Sequence, residues 1–191
     1  MSNLSLSANA VCTKSFELDL EQHLKDRYLD LDLHSPVLDQ DNGLATFYLW
    51  TLSGKLAGYQ QYRPLGTKDK NNDPREGKYY TYKTKPHSVT AFGMESLNLK
   101  PKVLFLTEGL FDAARLTYLG YPALATLSND PGKDFRSWLW TLNRKVVAVC
   151  DNDSAGRKLA KYGSVAVFTE DKDLGDSSPE YVNWLLQTYG D

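Results

Sequence analysis

Two aspartates stand together at the end of an apolar run in the last third of the chain. Residues 146–149 are apolar, Cys150 follows them, and Asp151 and Asp153 come next. Like charges this close repel and raise each other's pKa unless a cation neutralises them. Carboxylate oxygens suit Mg²⁺ or Mn²⁺ rather than zinc. The pair therefore predicts a divalent-metal site. The alternative is that Asp151 caps the following helix and Asp153 is a solvated loop residue.

Further acids follow other apolar runs. Glu108 comes directly after one run, and Asp171 and Asp173 come shortly after another. Right-handed crossovers place the carboxyl ends of parallel strands at one edge of a sheet, so we expect these acids to converge with the two aspartates. Gly109, next to Glu108, would let backbone or substrate approach closely. This convergence favours a site for divalent cations at that edge.

The elements that position these acids alternate between strand and helix. Such alternation predicts a parallel sheet with helices on both faces. The predicted strands are 103–107, 123–126, 146–150 and 165–168, and the predicted helices are 110–119, 135–142, 155–162 and 181–189. A loop near residue 100 divides this second domain, residues 101–191, from a first domain, residues 1–100.

The first domain has a different periodicity. Residues 16–33 alternate leucine with acids and predict a single helix. Its predicted inward positions are Leu18, Leu20, Leu24 and Tyr28. A period of two then predicts strands at 46–50, 56–63 and 79–83, the first two forming a hairpin. His23 and His34 are interpreted as surface or capping residues, because they have no nearby Cys or acid at metal-ligand spacing.

Charge is unevenly distributed, although the net charge is only −2. Eight basic and three acidic side chains lie between Lys55 and Lys85, so the rest of the chain carries a surplus of seven acids. This asymmetry suits a protein that holds a polyanion on one side and metal ions on the other. Lys68 and Lys70, inside the basic stretch, are interpreted as solvated loop charges.

Composition argues against several classes of protein. No apolar run approaches the ~20 residues that would span a membrane, and the first residues lack the pattern of a secretory signal. Cys12 and Cys150 are the only cysteines, too few for a cysteine-based zinc site or a disulfide framework. We therefore expect a cytoplasmic protein without zinc, in which Cys150 is a small buried hydrophobic residue.

Three acidic motifs resemble those of Toprim domains. Residues 108–112, EGLFD, are similar to the glutamate motif of that family, and residues 151–156, DNDSAG, are similar to its DxDxxG motif. Residues 172–176, KDLGD, resemble the third acidic motif of the primase branch. The resemblance implies an α/β fold, in which an α+β N-terminal lobe is followed by a Toprim-type parallel four-stranded sheet flanked by helices.

The first lobe narrows the resemblance to primases. Residues 54–65, GKLAGYQQYRPL, resemble the hairpin that leads into an Arg-x-Leu in bacterial and phage-type DNA primases. Lys78, Tyr79 and Lys83 stand where that family has its Lys-Tyr-Leu-Asn and following lysine, with Thr81 in place of the Asn. The resemblance implies an RNA-polymerase core that makes short RNA primers from nucleoside triphosphates on single-stranded DNA.

The resemblance also implies roles for individual residues. The implied catalytic residues are Glu108, Asp151 and Asp153. The implied ligands of two Mg²⁺ or Mn²⁺ ions are Glu108, Asp112, Asp151, Asp153, Asp173 and Asp176. The implied contacts to nucleotide or template are Lys55, Arg63, Lys78, Tyr79, Lys83 and Lys172, and Tyr82 is a second candidate to stack on a base.

Two other functions stay open at this point. A Toprim nuclease would use the same acids to hydrolyse a phosphodiester, and a non-catalytic module would bind single-stranded DNA or a replication protein. The implied partners are single-stranded DNA and nucleoside triphosphates, with a replicative helicase and a separate zinc-ribbon subunit as further candidates and no membrane. Such a protein would act in the cytoplasm of a bacterial cell or a phage-infected host.

Overall fold

The chain folds into two four-stranded sheets with helices around them. The computed structural model describes residues 18–69, 73–84, 89–128, 130–170 and 174–191. The helices are α1 Leu20–Asp26, α2 Leu31–His34, α3 Leu110–Tyr118, α4 Lys133–Thr141, α5 Gly156–Leu159 and α6 Pro179–Tyr189. The strands are β1 Val37–Asp39, β2 Leu44–Trp50, β3 Leu56–Tyr62, β4 Tyr79–Lys83, β5 Val103–Thr107, β6 Ala123–Ala125, β7 Lys145–Cys150 and β8 Val165–Phe168. Short 3₁₀ helices cover Pro74–Glu76, Met94–Asn98 and Ala160–Tyr162.

The first sheet is antiparallel, in the order β1-β2-β3-β4. Its register pairs Phe47 with Gln60, and Gln60 with Thr81, so these three side chains share one face. That inner face packs on the second lobe: the Tyr62 ring lies 4.8 Å from the Phe111 ring, measured between centroids. The predicted hairpin and aromatic strand are confirmed, and the structure adds the short β1 as an edge strand.

The second sheet is parallel throughout, in the order β6-β5-β7-β8. Every residue of β5 is buried. Phe105 and Val147 pack on the side of α3 and α6, while Leu104 and Val146 pack on the side of α4. A strand covered on both faces reads as a continuous apolar run, which is why the sequence predicted these strands. The predicted parallel sheet flanked by helices is confirmed.

The N-terminal segment differs from its prediction. In its described part, the single helix predicted over 16–33 is wrong, because two helices, α1 and α2, form instead. Tyr28 separates them with a φ of 61°, a conformation that a right-handed helix cannot contain. Leu20 and Leu24 are buried as predicted, whereas Leu18 and Tyr28 are partly exposed.

Both histidines of the N-terminal segment contact side chains elsewhere in the chain. Of the two interpretations of His34, the surface one is wrong, because the residue is 9% exposed; His34 is the last residue of α2. Its Nε2 lies 2.9 Å from Thr117 Oγ1, and its Nδ1 contacts the Glu95 carboxylate. His23 is partly exposed, and its Nε2 lies 2.9 Å from the Tyr62 hydroxyl. Both histidines therefore hold the N-terminal helices against the rest of the chain.

A single hydrophobic cluster runs through both lobes. It includes Leu24 from α1, Phe47 from the antiparallel sheet, Phe105 from the parallel sheet and Leu185 from α6. The lobes are therefore held together by shared apolar burial. The division into residues 1–100 and 101–191 stays a prediction about the sequence. Among the described residues, no helix combines the length and the apolar character needed to cross a membrane.

Candidate active site

Carboxylates gather at one edge of the parallel sheet. Strands β5 and β7 are neighbours, with Leu106 paired to Ala148, so Glu108 and Asp151 follow adjacent strand ends. Burial raises the pKa of the half-buried Glu108 carboxyl, and the negative charge of Asp153 raises it further. A cation at this edge would oppose both effects. Of the acids expected to converge, Glu108, Asp151 and Asp153 follow these two adjacent strand ends, while Asp171 and Asp173 lie outside the described residues.

The loop after β7 owes its shape to close backbone contacts. The N–H of Asp153 donates to the carbonyl of Asp151 at 2.8 Å, and the Asp153 carboxylate accepts from the N–H of Gly156 at 2.8 Å. A Cβ at Gly156 would lie 2.0 Å from the Asp151 carbonyl oxygen, so only glycine fits there. Asp153 is exposed but is tied to the first residue of α5, rather than being only a solvated loop residue.

A cleft of about 290 Å³ opens between the two sheets at this edge. Its acids and Phe111 come from the loops and helix α3 of the second lobe, and Gln60, Lys68 and Tyr79 come from the antiparallel lobe. The lining residues are Gln60, Lys68, Tyr79, Leu127, Asp151 and the stretch 108–112. The cleft thus joins the carboxylates to groups suited to phosphates and to a nucleobase.

Two further clefts continue the first one in opposite directions. One of about 320 Å³ shares Lys68 and Tyr79 with it and adds Lys78. The other, of about 270 Å³, shares Leu127 and adds Lys83. We call the three connected clefts the trough. The trough follows the inward side chains of β4, from Tyr79 to Lys83.

Two basic side chains of the antiparallel lobe carry buried nitrogen atoms: Lys83 lines the trough, whereas Arg63 lines none of its three clefts. Burial lowers the pKa of the Lys83 ammonium, whose Nζ donates to the carbonyl of Thr126 at 3.3 Å. One terminal guanidinium nitrogen of Arg63 is buried and has no hydrogen-bond partner within the described residues. The Arg63 N–H pairs with the carbonyl of Lys78 at 2.9 Å, which brings both residues to the same end of the antiparallel sheet. Buried cationic donors such as these two groups suit an anionic ligand.

Some residues named from the sequence are not brought to the trough. Lys55 is exposed in the turn between β2 and β3 and lines none of the three clefts. Asp176 is exposed as well. Burial raises the pKa of the Tyr62 hydroxyl, and the negative charge of Asp176 raises it to a smaller extent. Tyr82 is exposed on the outer face of β4, whereas Tyr79 lines the cleft. The residues Cys12, Lys70, Asp171, Lys172 and Asp173 lie outside the described residues.

Helix α3 fixes the loop that follows β8. The Asp112 carboxylate accepts from the N–H of Gly175 at 2.7 Å. One guanidinium nitrogen of Arg115 lies 3.0 Å, 3.2 Å and 2.5 Å from the carbonyl oxygens of Leu174, Gly175 and Ser177. Sequence reasoning missed Arg115. Its signal is the three-residue spacing from Asp112, which places both side chains on one face of the helix.

The donor chemistry at the edge fits a divalent metal. Within the described stretches, no three acidic, His or Cys side chains are grouped closely enough to hold a metal ion. The half-buried Glu108 carboxylate beside Asp153 is nevertheless unfavourable by itself, and a divalent cation would relieve it. Burial, followed by the charges of Asp151 and Glu108, raises the pKa of the Cys150 thiol to about 12, so that thiol stays protonated. It is a buried hydrophobic residue, as predicted.

Three lining residues were not singled out from the sequence as parts of the site. Gln60 is a buried amide on the inner face of β3, and Lys68 is exposed as predicted but lines two of the clefts. Leu127 has a φ of 56°, which is strained for a leucine and typical of residues that a site holds in place. No sequence signal separates Gln60 from Gln61, because the two amides are adjacent and the sequence does not show which face of the strand points inward.

Comparison with solved structures identifies the fold. The structure of the DnaG primase catalytic domain bound to single-stranded DNA matches with a TM-score of 0.64 and 16% identity, over 93% of this chain and 73% of that one. The E. coli primase catalytic core has a TM-score of 0.61 and 17% identity, covering 94% and 73%. The primase fragment of the bacteriophage T7 primase-helicase has a TM-score of 0.54 and 14% identity, covering 81% of this chain and 64% of that one. No family model matches the sequence, and no curated protein matches it. The chain therefore has the fold of a primase catalytic core, which confirms the fold that the resemblance implied.

Proposed function

We propose that this chain is a primase-type RNA polymerase core, which makes short RNA primers from nucleoside triphosphates on single-stranded DNA. One observation carries the proposal: a single cleft joins the carboxylates at the end of the parallel sheet to Lys68, Tyr79 and Gln60 of the antiparallel lobe. A nuclease site needs the acids and contacts to a single nucleic-acid strand. A polymerase site must also hold a triphosphate, a base and a template strand, and the trough offers room and partners for them.

The acids are assigned to metal binding and to the reacting groups. Glu108, Asp151 and Asp153 would hold two divalent ions together with Asp173, and the latter's place is inferred from its motif alone. Held by these residues, Mg²⁺ or Mn²⁺ would lower the pKa of the attacking 3′-hydroxyl and neutralise the departing pyrophosphate. Asp112 supports this set from α3 by holding the loop that follows β8.

The basic and aromatic residues are assigned to the nucleic acid and the triphosphate. Lys78 and Lys83, at opposite ends of the trough, would hold phosphates of template or nucleotide. Arg63 and Lys172 would do the same, and Tyr79 would stack on a base in the cleft. Catalysis then consists mainly of positioning and of electrostatic stabilisation of the transferring phosphoryl group.

Partners follow from the same proposal. One structure with this fold is a primase domain bound to single-stranded DNA, and another comes from a primase-helicase. A third contains zinc-binding and RNA-polymerase domains together. We therefore extend the proposal to a replicative helicase and a separate zinc-ribbon subunit as partners, in the cytoplasm of a bacterium or a phage-infected cell.

The test is a primer-synthesis assay with the full chain. The protein is incubated with single-stranded DNA, labelled ribonucleoside triphosphates and Mg²⁺ or Mn²⁺, and products are resolved by length. We expect short RNA whose formation requires template, triphosphates and metal. Metal-dependent cleavage of the DNA without RNA would indicate the nuclease, and binding of DNA without either product would indicate a non-catalytic module.

A further inference from the structure

One side chain in the trough carries a hydrogen-bonding atom that the protein itself does not use. Gln60 is only 6% exposed, on the inner face of β3. Its Nε2 donates to Thr81 Oγ1 at 2.8 Å, which orients the carboxamide. Its Oε1 is buried and has no hydrogen-bond partner in the described part of the chain. Because a buried unpaired acceptor is costly, a ligand that donates to it is the expected partner.

The position of Gln60 limits what that ligand can be. The side chain lines the same cleft as Glu108, Asp151, Lys68 and Tyr79. A molecule that donates to Gln60 therefore lies within one small cleft with an aromatic ring, an ammonium group and carboxylates. A nucleotide has parts that suit each of these groups, with its sugar between the base and the phosphates.

Within a nucleotide, the sugar is the part that can donate a hydrogen bond to Gln60 Oε1 whatever the base. Phosphate oxygens only accept hydrogen bonds, so a triphosphate cannot satisfy the oxygen of Gln60. Donors on the bases differ from one base to another, and a template-directed enzyme must accept all four bases at one site. Ribose hydroxyls are the donors that every ribonucleotide shares.

We infer that Gln60 Oε1 accepts a hydrogen bond from a ribose hydroxyl of the bound nucleotide and thereby selects ribonucleotides over their deoxy analogues. The inference rests on the proposed function. A site that is built to pair with a substrate hydroxyl rejects the analogue that lacks it, because the buried acceptor is then left unpaired. Thr81 acts as a positioning residue, since its hydroxyl accepts from Nε2 and so fixes the orientation of the carboxamide.

The neighbouring residue provides a matched control. Gln61 has the same side chain in the same strand, but it pairs with Thr46 and Tyr80 on the opposite face of the sheet. Gln61 lines none of the clefts of the trough. Gln60→Met and Gln61→Met therefore make the same chemical change on two faces of one strand, and methionine keeps the length of the side chain without the acceptor.

The experiment measures equilibrium binding to the full chain with Mg²⁺ and a thymidine template. The probes are ATP, 2′-deoxyATP and 3′-deoxyATP. We expect the unmodified protein to bind ATP about tenfold more tightly than one of the two analogues, and the analogue concerned identifies the hydroxyl. Gln60→Met should reduce that preference to within about twofold, and Gln61→Met should keep it. Thr81→Val should weaken the preference to an intermediate degree, and it replaces Gln60→Met as the decisive variant should the latter fail to fold.

Each remaining outcome is decisive as well. The inference is overturned by an unchanged preference in a folded Gln60→Met variant, or by an equal loss in Gln61→Met. Primer synthesis run in parallel separates the two proposals. RNA synthesis with an unchanged preference in Gln60→Met overturns the role of Gln60 alone, and a preference that depends on Gln60 without RNA synthesis overturns the polymerase function alone. A folded protein that binds none of the three probes overturns both.

Discussion

The two sheets contribute to the trough in different ways. The parallel sheet contributes acids from its loops, since Glu108 and Asp151 follow strands that are buried on both faces. The antiparallel sheet contributes side chains from within its strands, since Gln60, Thr81 and Lys83 lie on one face of β3 and β4. A strand between two covering layers has no free face, so only its ends can carry a site. An antiparallel strand can place every second residue in one.

Because of this difference, we expect site residues in the antiparallel sheet to lower the stability of the fold more than site residues in the parallel sheet. Charges at strand ends leave the packing of the parallel sheet intact. Polar residues on the inner face of the antiparallel sheet stand among Phe47 and Tyr62, so each of them replaces an apolar contact. We therefore expect substitutions at the acids to change chemistry with little effect on folding. Substitutions at the inner polar positions should change ligand binding and stability in opposite directions.

The largest effect is expected at the strand ends. Asp151→Asn keeps the shape of the side chain but removes a charge that would bind metal. We expect primer synthesis to fall by about a thousandfold, since a metal-ion contribution is worth several kcal/mol. The thermal midpoint should be unchanged or raised, because one of the clustered negative charges is gone. The assay is RNA synthesis together with thermal melting.

The control for that variant is Asp134→Asn, at an exposed position of α4. It should keep both activity and melting temperature. Full RNA synthesis by Asp151→Asn would remove the metal role from this edge of the sheet, and with it the contrast between the two sheets.

The next largest effect concerns stability within the parallel lobe. Arg115→Met leaves the carbonyl groups of Leu174, Gly175 and Ser177 without their shared donor. We expect the free energy of unfolding to fall by about 3 kcal/mol, measured by urea denaturation. Arg136→Met, at an exposed position of α4, should change it by less than about 0.5 kcal/mol. Equal effects of the two variants would mean that α3 does not anchor the loop after β8.

The same contrast explains what the sequence could predict. Buried parallel strands are continuous apolar runs, so β5, β7 and β8 were predicted within a residue or two, and the acids after them could be assigned to one edge. The topology needed no side-chain detail, because parallel strands all place their carboxyl ends on the same side.

The contributions of the antiparallel sheet were harder to predict. Which face of β3 meets the cleft depends on how this sheet docks on α3, and that contact, between Tyr62 and Phe111, joins residues far apart in sequence. Gln60 and Gln61 therefore looked equivalent, although one is buried in the site and the other is not. The break at Tyr28 was missed for a similar reason, because Leu20 and Leu24 fit a longer helix equally well.

An effect of intermediate size is expected at the buried lysine of the antiparallel sheet. Because Lys83 would contact phosphate, Lys83→Met should weaken binding of a nucleoside triphosphate about tenfold at neutral pH. Burial lowers the pKa of Lys83, so the charged form, and with it the affinity, should be lost at a lower pH than for an ordinary lysine. Titration of binding from neutral to alkaline pH should show this decline in the unmodified protein and a flatter profile in Lys83→Met.

Lys83→Met should weaken nucleotide binding without lowering the free energy of unfolding. Between the lowered folded pKa of Lys83 and its ordinary unfolded pKa, the unfolded chain binds more protons, so the free energy of unfolding rises with pH there. Lys83→Met should be at least as stable as the unmodified protein at neutral pH and should lack that rise. Lys55→Met, in the exposed turn, should change neither property. Similar losses of affinity in the two variants would place nucleotide binding outside the trough.

The smallest expected effect is a difference in the free energy of unfolding between substitutions on the two faces of β3. Gln60→Met replaces a buried acceptor that lacks a described partner with an apolar side chain of similar length, beside Phe47. We expect the free energy of unfolding to increase by about 1 kcal/mol, because the cost of the unpaired oxygen is removed. Gln61→Met should change it by less than about 0.5 kcal/mol. The measurement is urea denaturation without nucleotide. A marked destabilisation by Gln60→Met would mean that its oxygen is already paired within the protein, so that stability, and not ligand binding, maintains an amide on this face.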